Sequence, residues 1–285
     1  MRATCLVDNW VQHGSLWGEH GVSFLIETQG QRVLFDAGLS GQVLQHNMQA
    51  LKIEPASLDV VVLSHGHNDH GGGLSSLIPH LKGVPLWAHP EAFRQKYNSR
   101  SGQAIGIGDC RRELMGPFSL RLTEGAAEVA PGVWTSGEIT ERPYFEGRGE
   151  AHAVRVTDEH RWTRMRGQFV PDPYRDDLSL VLDTPDGLVV VCGCAHAGLL
   201  NILRQVQKQH RGPVTAIVGG THLAAVGEEQ RRTVVEHVQA IGSPRLYLNH
   251  CTGYPAVFYL AQALPGQVRP FGSGSVLECA DQALV

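Results

Sequence analysis

The sequence lacks any run of 18 apolar residues, and it has little charge and few cysteines. Only 18% of its 285 residues are charged, and six are cysteine. Without a long apolar run we expect no membrane-spanning segment, and the apolar stretch at the start is too brief for a signal peptide. Six cysteines in a chain of this length do not make a disulfide framework. These absences favour a cytoplasmic protein.

The sequence also lacks an excess of positive charge. Its formal net charge is −4, whereas a protein that binds nucleic acid needs a basic face to neutralise phosphates. We therefore expect neither nucleic acid nor a membrane among its partners. The residue pattern leaves no trace of an oligomeric state.

The hydrophobic residues, 42% of the chain, are ample for one large core. We therefore predict a single domain over residues 1–285, with a lid-like excursion around 141–175. In that excursion arginines are interleaved with aromatic residues, whereas disordered linkers are poor in aromatics.

Strand-like and helix-like patterns alternate in both halves of the chain. The first half is predicted to contain a strand at 2–7, a hairpin at 22–36, a helix at 41–51, a strand at 58–63, a helix at 71–81 and a strand at 85–88. The second half repeats the order with a hairpin at 178–192, helices at 198–210, 228–241 and 254–263, and strands at 214–218, 245–248, 267–270 and 275–279. Residues 92–116 are expected to be loop-rich. This repetition predicts two mixed sheets packed face to face, with helices outside.

Three of the 15 histidines cluster at one place in the sequence. His65, His67, Asp69 and His70 directly follow the predicted buried strand 58–63 and are separated by glycine and asparagine. Imidazole and carboxylate together suit zinc, iron or manganese better than calcium. A histidine-rich helix start with no metal is the alternative, but four metal-capable side chains within six residues favour a metal site.

Three further histidines repeat one arrangement. His196, His222 and His250 each follow an apolar strand and precede a helix. Ligands gather at the carboxyl ends of strands in α/β sheets. One such residue alone is equally well a hydrogen-bonded loop histidine, but three recurrences favour a shared site. We also expect His20 to lie near this site, and the eight other histidines, including His152, to have no special role.

These motifs resemble those of a known family. The pattern from His65 to His70, with Asp36 at the end of an earlier strand, resembles the metallo-β-lactamase superfamily. Residues 19–23, 193–198, 219–223 and 250–253 resemble the dihydropterin-ribofuranosylaminobenzene-phosphate-synthase-like branch of it. The resemblance implies an α/β (α+β) fold, a four-layer αββα sandwich, with a dinuclear metal site at one edge of the two sheets.

The resemblance also implies a ligand set. The first metal would be bound by His65 and His67, and the second by Asp69, His70 and His250. The chain departs from the common pattern between these motifs. Here the expected metal ligand is His196, while three residues stay open: Asp177 as a substitute, His222 as a ligand or substrate contact, and Cys194 as a ligand or a packed thiol. Asp36 is expected to orient a ligand histidine.

The expected activity is hydrolysis through a hydroxide shared by two metals. Two zinc ions are expected, with manganese or iron as alternatives, and the catalytic residues would be Asp69 and His222. The substrate is expected to be a small anionic molecule, phosphorylated or pterin-like. Arginines and aromatics at 94–112 and 142–175 would bind it, unless those arginines pair with acids at the surface.

Three other functions fit the same residues. One is a lactonase or thioesterase that uses the same site, and another is a transferase that condenses a phosphoribosyl group with an aminobenzoate. The third is a metal or ligand sensor without turnover.

Overall fold

The computed structural model describes residues 1–108, 111–114, 116–146, 151–155 and 169–279. The strands are β1 (Arg2–Val7), β2 (Ser23–Thr28), β3 (Gln31–Phe35), β4 (Val60–Val62), β5 (Val84–Ala88), β6 (Lys96–Asn98), β7 (Phe118–Leu122), β8 (Glu128–Ala130), β9 (Val133–Thr135), β10 (His152–Arg155), β11 (Phe169–Pro171), β12 (Ser179–Thr184), β13 (Gly187–Cys192), β14 (Val214–Gly219), β15 (Arg245–Leu248), β16 (Val268–Pro270) and β17 (Val276–Glu278). The α-helices are α1 (Gly41–Ala50), α2 (Asn68–Gly71), α3 (Leu74–Leu77), α4 (Arg111–Leu114), α5 (Leu199–Gln209), α6 (Glu228–Ala240) and α7 (Tyr254–Ala263).

Two seven-stranded mixed sheets form the body of the protein. The first has the order β17-β1-β2-β3-β4-β5-β7, and the second has the order β16-β15-β14-β13-β12-β9-β8. In each sheet an antiparallel hairpin leads into parallel strands: β2–β3 is followed by β4, β5 and β7, and β12–β13 by β14, β15 and β16.

Three clusters of buried residues show how the layers stack. Alternate residues of one strand face opposite sides, so Phe24 and Ile26 enter the core between the sheets, whereas Leu25 packs on the outer side. On that outer side, Leu25 belongs to one buried cluster with Leu44 and other residues of α1 and with residues of α3. The second sheet buries its outer side against α5, α6 and α7. The layers are therefore helix, sheet, sheet and helix, and the predicted fold class is confirmed.

One predicted helix is wrong. The chain at 71–81 forms no single helix, because α2 begins at Asn68 and ends at Gly71, and α3 follows after a break. A Cβ atom on Gly72 would lie 2.2 Å from the carbonyl oxygen of Leu39, so this glycine permits a close approach that interrupts the helix.

A small third sheet forms from segments that the sequence does not mark as strands. It has the order β11-β10-β6 and joins part of the loop-rich stretch to part of the predicted excursion. Residues 147–150 and 156–168 of that excursion lie outside the described residues. None of the described helices combines the length and the apolar character needed to cross a bilayer.

Candidate metal centre

The histidine-rich motifs meet where the parallel strands of both sheets end. His65 follows β4 of the first sheet, and His196, His222 and His250 follow β13, β14 and β15 of the second. Because these three strands are parallel neighbours, their carboxyl ends lie side by side. The structure brings the two sets of predicted site residues together at this edge.

A glycine allows the first ligand loop to lie close to its neighbour. A Cβ atom on Gly66 would come within 1.8 Å of the carbonyl oxygen of Ala92. The backbone N–H of Gly66 donates to Oδ2 of Asp176 at 2.8 Å, and Asp176 also accepts from the buried ammonium of Lys96. This arrangement holds the loop between His65 and His67 in place.

The first group of candidate ligands is built around His65, His67 and His196. The Nε2 atom of His65 lies 3.0 Å from Nδ1 of His67. Ligand atoms of His65, Cys194 and His196 lie within 4.8 Å of one another, and so do those of His67, His152 and His196. Such spacing suits one ion bound by several imidazoles.

The second group is built around Asp69, His70 and His250. The Oδ2 atom of Asp69 lies 3.3 Å from Nε2 of His250 and 3.8 Å from Nε2 of His70. Nε2 of His70 is in turn 3.1 Å from Sγ of Cys194. The atoms of His70, Cys194 and His250 also fall within 4.8 Å of one another.

The thiol of Cys194 belongs to both groups. Its Sγ atom is close to His65 and His196 on one side and to His70 and His250 on the other. A packed thiol with no further role is one of the two alternatives from the sequence. Its position between two sets of imidazoles favours the other alternative, a metal ligand.

Polar neighbours orient several of these imidazoles. The Oδ2 atom of Asp36 lies 2.7 Å from Nδ1 of His70, as expected for an orienting carboxylate. The hydroxyl of Ser64 donates to the same Asp36 oxygen at 2.7 Å and lies 2.9 Å from Nδ1 of His65. On the far side, Oδ1 of Asn9 lies 3.0 Å from Nδ1 of His250.

Burial keeps the first group neutral. It lowers the pKa of His65, His67 and His196 well below the ordinary value, and the neighbouring imidazoles lower the pKa further. Burial opposes the charge of His70 as well, but Asp36 and Asp69 outweigh it and raise the pKa of His70 to about 9. A cation that binds His70 would therefore have to displace a proton, whereas His65, His67 and His196 carry no additional proton to displace.

At this centre, several buried ring nitrogens have no hydrogen-bond partner among the described residues. They are Nε2 of His67, both ring nitrogens of His196, Nδ1 of His222 and Nε2 of His250. Orphaned buried polar atoms are costly in a folded protein. A metal ion would satisfy lone pairs at this position, so the donor set fits the divalent metal binding that the fold implies.

Backbone strain is concentrated around the same residues. A left-handed conformation is uncommon for residues other than glycine and is often retained at functional sites. In the described part of the chain, five of the eight such residues lie at the centre: Asp36 (φ 61°), Tyr174 (47°), Ala195 (56°), His222 (53°) and His250 (47°).

His152, for which the sequence predicts no special role, lies beside the first group of candidate ligands. The ring of His152 lies 4.5 Å from that of His67 and 5.6 Å from that of His196, measured between centroids. The residue begins β10 of the small sheet, where a four-residue strand of mixed polarity gives no recognisable signal in the sequence. The excursion thus adds an imidazole to the first group.

Two other residues complete the outer side of the centre. His20 places Nε2 3.3 Å from Oδ2 of Asp69, and it is 66% exposed. The backbone N–H of His222 donates to Sγ of Cys251 at 3.2 Å. Ligand atoms of Cys194, His222 and Cys251 lie within 4.8 Å of one another, so His222 is close to a thiol-rich corner.

The carboxylate of Asp177 is held away from the candidate ligand groups. Its Oδ2 atom accepts from the backbone N–H of Ala197 at 2.7 Å, which fixes the loop that carries His196. Burial raises the pKa of Asp177 to about 7. Among the described residues, the ligand groups do not include Asp177, so the geometry favours His196 over this substitute.

Several arginines that the sequence offers for substrate binding are engaged within the protein. Arg142 donates to the carbonyl oxygens of Ile139, Pro173 and Tyr174. Arg175 pairs with Glu138, and Arg94 with Glu91. At these three positions, the contacts favour pairing of the arginine within the protein over binding of a substrate.

A cavity of about 280 Å³ opens onto the centre. Its lining includes ligand candidates of both groups together with Asn98 and Ile105 from the side of the small sheet. The full lining is His20, His67, Asn68, Asp69, Asn98, Ile105, His152, Cys194, His196, His222, His250 and Cys251. A small molecule can therefore reach the candidate ligands.

Known proteins are similar to this chain in sequence and in fold. The family model of the Metallo-beta-lactamase superfamily matches residues 16–206. The 7,8-dihydropterin-6-methyl-4-(beta-D-ribofuranosyl)-aminobenzene-5'-phosphate synthase of Methanocaldococcus jannaschii is 28% identical over 264 residues, which are 88% of this chain and 87% of that protein. An uncharacterized protein of the same organism is 29% identical over 90% of this chain and 93% of its own length. A solved metal-dependent hydrolase of the beta-lactamase superfamily has a TM-score of 0.84 and 29% identity, covering 99% of this chain and 100% of its own.

Proposed function

Since this chain belongs to the metallo-beta-lactamase superfamily, we propose that it is a dinuclear metal-dependent hydrolase of a small anionic substrate, phosphorylated or pterin-like. One observation carries the proposal: the two groups of candidate ligands share the thiol of Cys194. The similarity to a metal-dependent hydrolase over 99% of the chain supports the reaction class.

The ligands divide between two ions, for which we propose zinc. The first ion would be held by His65, His67 and His196, and the second by Asp69, His70 and His250. Cys194 lies close enough to both groups to serve as a ligand for either, and soft thiolate together with imidazole favours zinc over manganese. Two such ions supply a water of lowered pKa and positive charge that stabilises a developing oxyanion.

The residues of the chain position the reactants. Burial raises the pKa of Asp69, but the imidazoles of His70, His20 and His250 outweigh burial and hold this pKa well below its usual value. The carboxylate therefore stays ionised and would orient an attacking water by accepting its hydrogen bond. His222 lines the cavity, and its buried Nδ1 atom has no partner in the described part of the protein. It is therefore available to bind the leaving group.

Metal analysis together with a substrate panel tests this function. We expect two zinc ions per chain in the purified protein, and turnover of phosphodiesters or phosphomonoesters. The double variant His65→Ala/His67→Ala should lose the first ion and the activity, while the variant of an exposed histidine, His80→Ala, should keep both. Activity retained in the double variant contradicts the proposal, and turnover of lactones or thioesters alone identifies another substrate class.

A second function is favoured by a specific similarity. The relative that is 28% identical over 88% of this chain is a synthase, so a condensing transferase that joins a phosphoribosyl group to an aminobenzoate is the competing proposal. Incubation with an activated phosphoribosyl donor and an aminobenzoate distinguishes the two. Release of pyrophosphate that depends on both substrates supports the transferase, whereas ester hydrolysis without that release supports the hydrolase.

A further inference from the structure

A second cavity adjoins the metal centre, at the end of the small sheet. It has a volume of about 370 Å³ and lies between the turn after β6 and the strand β11. Two residues, Asn98 and His152, line both this groove and the cavity of the metal centre. Small-molecule sites span roughly 300–1,000 Å³, so the groove has room for a ring-sized part of a ligand.

The walls of the groove are apolar and aromatic. They are formed chiefly by Ala153, Phe169, Val170 and Pro171, and none of the described residues that line the groove is acidic. Phe169 keeps 52% of its surface exposed, although its position is set by its neighbours. A ring edge of Tyr97 meets it at a centroid distance of 4.9 Å, and the guanidinium of Arg155 lies 5.7 Å from its centroid.

These walls favour a ligand that has a flat, apolar part. A fixed, half-exposed phenyl ring beside a proline and two aliphatic side chains offers area to a flat apolar group, and aromatic rings gain additional stabilisation from stacking or edge contacts. The half-buried imidazole of His152 lines both the groove and the cavity of the centre, and the Tyr174 hydroxyl lies 2.9 Å from its Nδ1 atom.

We propose that this groove binds an aromatic or heteroaromatic ring of the substrate, while the anionic group attached to that ring reaches the metal centre. The anionic part of this inference rests on the proposed function. The ring part rests on the groove alone. Phe169 is then a specificity-determining residue, because it touches the part of the molecule that does not react.

Binding of two phosphonates to the zinc-loaded protein tests the inference by calorimetry, with no turnover involved. Phenylphosphonate should bind roughly tenfold or more tightly than methylphosphonate, as expected for burial of one ring. In Phe169→Ala the preference should shrink to about threefold or less, while methylphosphonate binds as before. The control Phe258→Ala, which removes a 69% exposed phenyl ring on α7 outside the groove, should keep the preference.

The outcomes test the groove and the proposed function independently of each other. Equal affinity for the two phosphonates in the unaltered protein, or an unchanged preference in Phe169→Ala, overturns the groove and leaves the hydrolase proposal standing. If neither phosphonate binds and no ester is hydrolysed, the proposed function fails. Binding of benzyl alcohol that is lost in Phe169→Ala would then still support a ring-binding groove.

Discussion

Tyr174 holds two imidazoles of the centre with two different parts of its side chain. Its hydroxyl lies 2.9 Å from Nδ1 of His152, and its ring stacks on His196 with a centroid distance of 4.5 Å and an interplanar angle of 7°. Burial raises the pKa of Tyr174, so the hydroxyl keeps its proton and remains available for this contact. The residue links the small sheet to the second large sheet.

Removing the hydroxyl separates these two roles. The variant Tyr174→Phe keeps the ring that stacks on His196 and loses the contact that orients His152. Loss of an orienting partner weakens metal binding by roughly 10–100-fold, and we expect a loss of this size for the first ion. Competition with a chromophoric chelator measures it. Tyr97→Phe on the same small sheet is the matched control, and an unchanged affinity in Tyr174→Phe would show that the contact with His152 does not support metal binding at the first group.

The shared position of Cys194 has a spectroscopic consequence. In cobalt-substituted protein, a thiolate ligand gives sulfur-to-metal charge-transfer absorption that imidazole and carboxylate do not give. We expect this absorption in the unaltered protein and its loss in Cys194→Ala. The control is Cys192→Ala, because Cys192 is also buried and stands two residues earlier, where its sulfur accepts from the hydroxyl of Ser179. A spectrum that survives in Cys194→Ala assigns the thiolate to Cys251 instead.

The raised pKa of His70 predicts that the chelator-treated protein loses stability as the pH rises. The pKa increases from 6.5 to about 9 on folding, mainly because Asp36 and Asp69 outweigh the effect of burial. The protonated form therefore contributes fully below pH 6.5, and the contribution disappears as the pH passes about 9. Its size is about 3 kcal/mol. Urea unfolding at these two pH values measures the change.

Asp36→Asn provides the control for this pH dependence. The asparagine keeps the shape of the side chain and removes the charge that raises the pKa of His70. We expect the loss of unfolding free energy between the two pH values to become much smaller. If the variant and the unaltered protein show the same slope, another group accounts for the effect.

A buried ion-pair network supports the first ligand loop. Nζ of Lys96 lies 2.8 Å from Asp172 and 2.9 Å from Asp176, and the Lys96 side chain is 2% exposed. In Lys96→Met both carboxylates would stay buried without their cation, which should lower the free energy of unfolding by about 3–5 kcal/mol. Chemical denaturation measures the loss.

An exposed pair gives the comparison for Lys96. Arg175 contacts Glu138 but is 44% exposed, so Arg175→Ala should cost about 1 kcal/mol or less. The charge-free variant Lys96→Met/Asp172→Asn/Asp176→Asn should regain much of the lost stability. Equal losses in Lys96→Met and Arg175→Ala would contradict the importance of the buried network.

Residues that repeat a local pattern can be predicted from the sequence, and those placed by tertiary contacts cannot. His65 and His196 follow long apolar strands, and this pattern alone marks them as residues at the edge of a sheet. His152 follows no such strand, since β10 becomes a strand only through its pairing with β6 and β11. The break after Gly71 likewise depends on the backbone of Leu39, which is distant in sequence.

The roles of Cys194 and Cys251 show the same limit. Cys251 stands beside His250 in the sequence, but adjacent side chains rarely point to the same place, so the sequence does not predict the partner of Cys251. In the structure, Cys251 contacts the backbone of His222, which follows a different strand. Side chains adjacent along an extended chain point apart, so only the alignment of strand ends shows which groups meet.

Each group of candidate ligands draws on both large sheets. His65 and His70 belong to the loop after β4 of the first sheet, whereas Cys194, His196 and His250 follow strands of the second. A cation held by either group is therefore a cross-link between the two halves of the sandwich, in addition to any part in chemistry. Binding of the cation would raise the free energy of unfolding, and this increase would grow with the logarithm of the free metal concentration. Metal supply would thus set how long the folded protein survives as well as how fast it works.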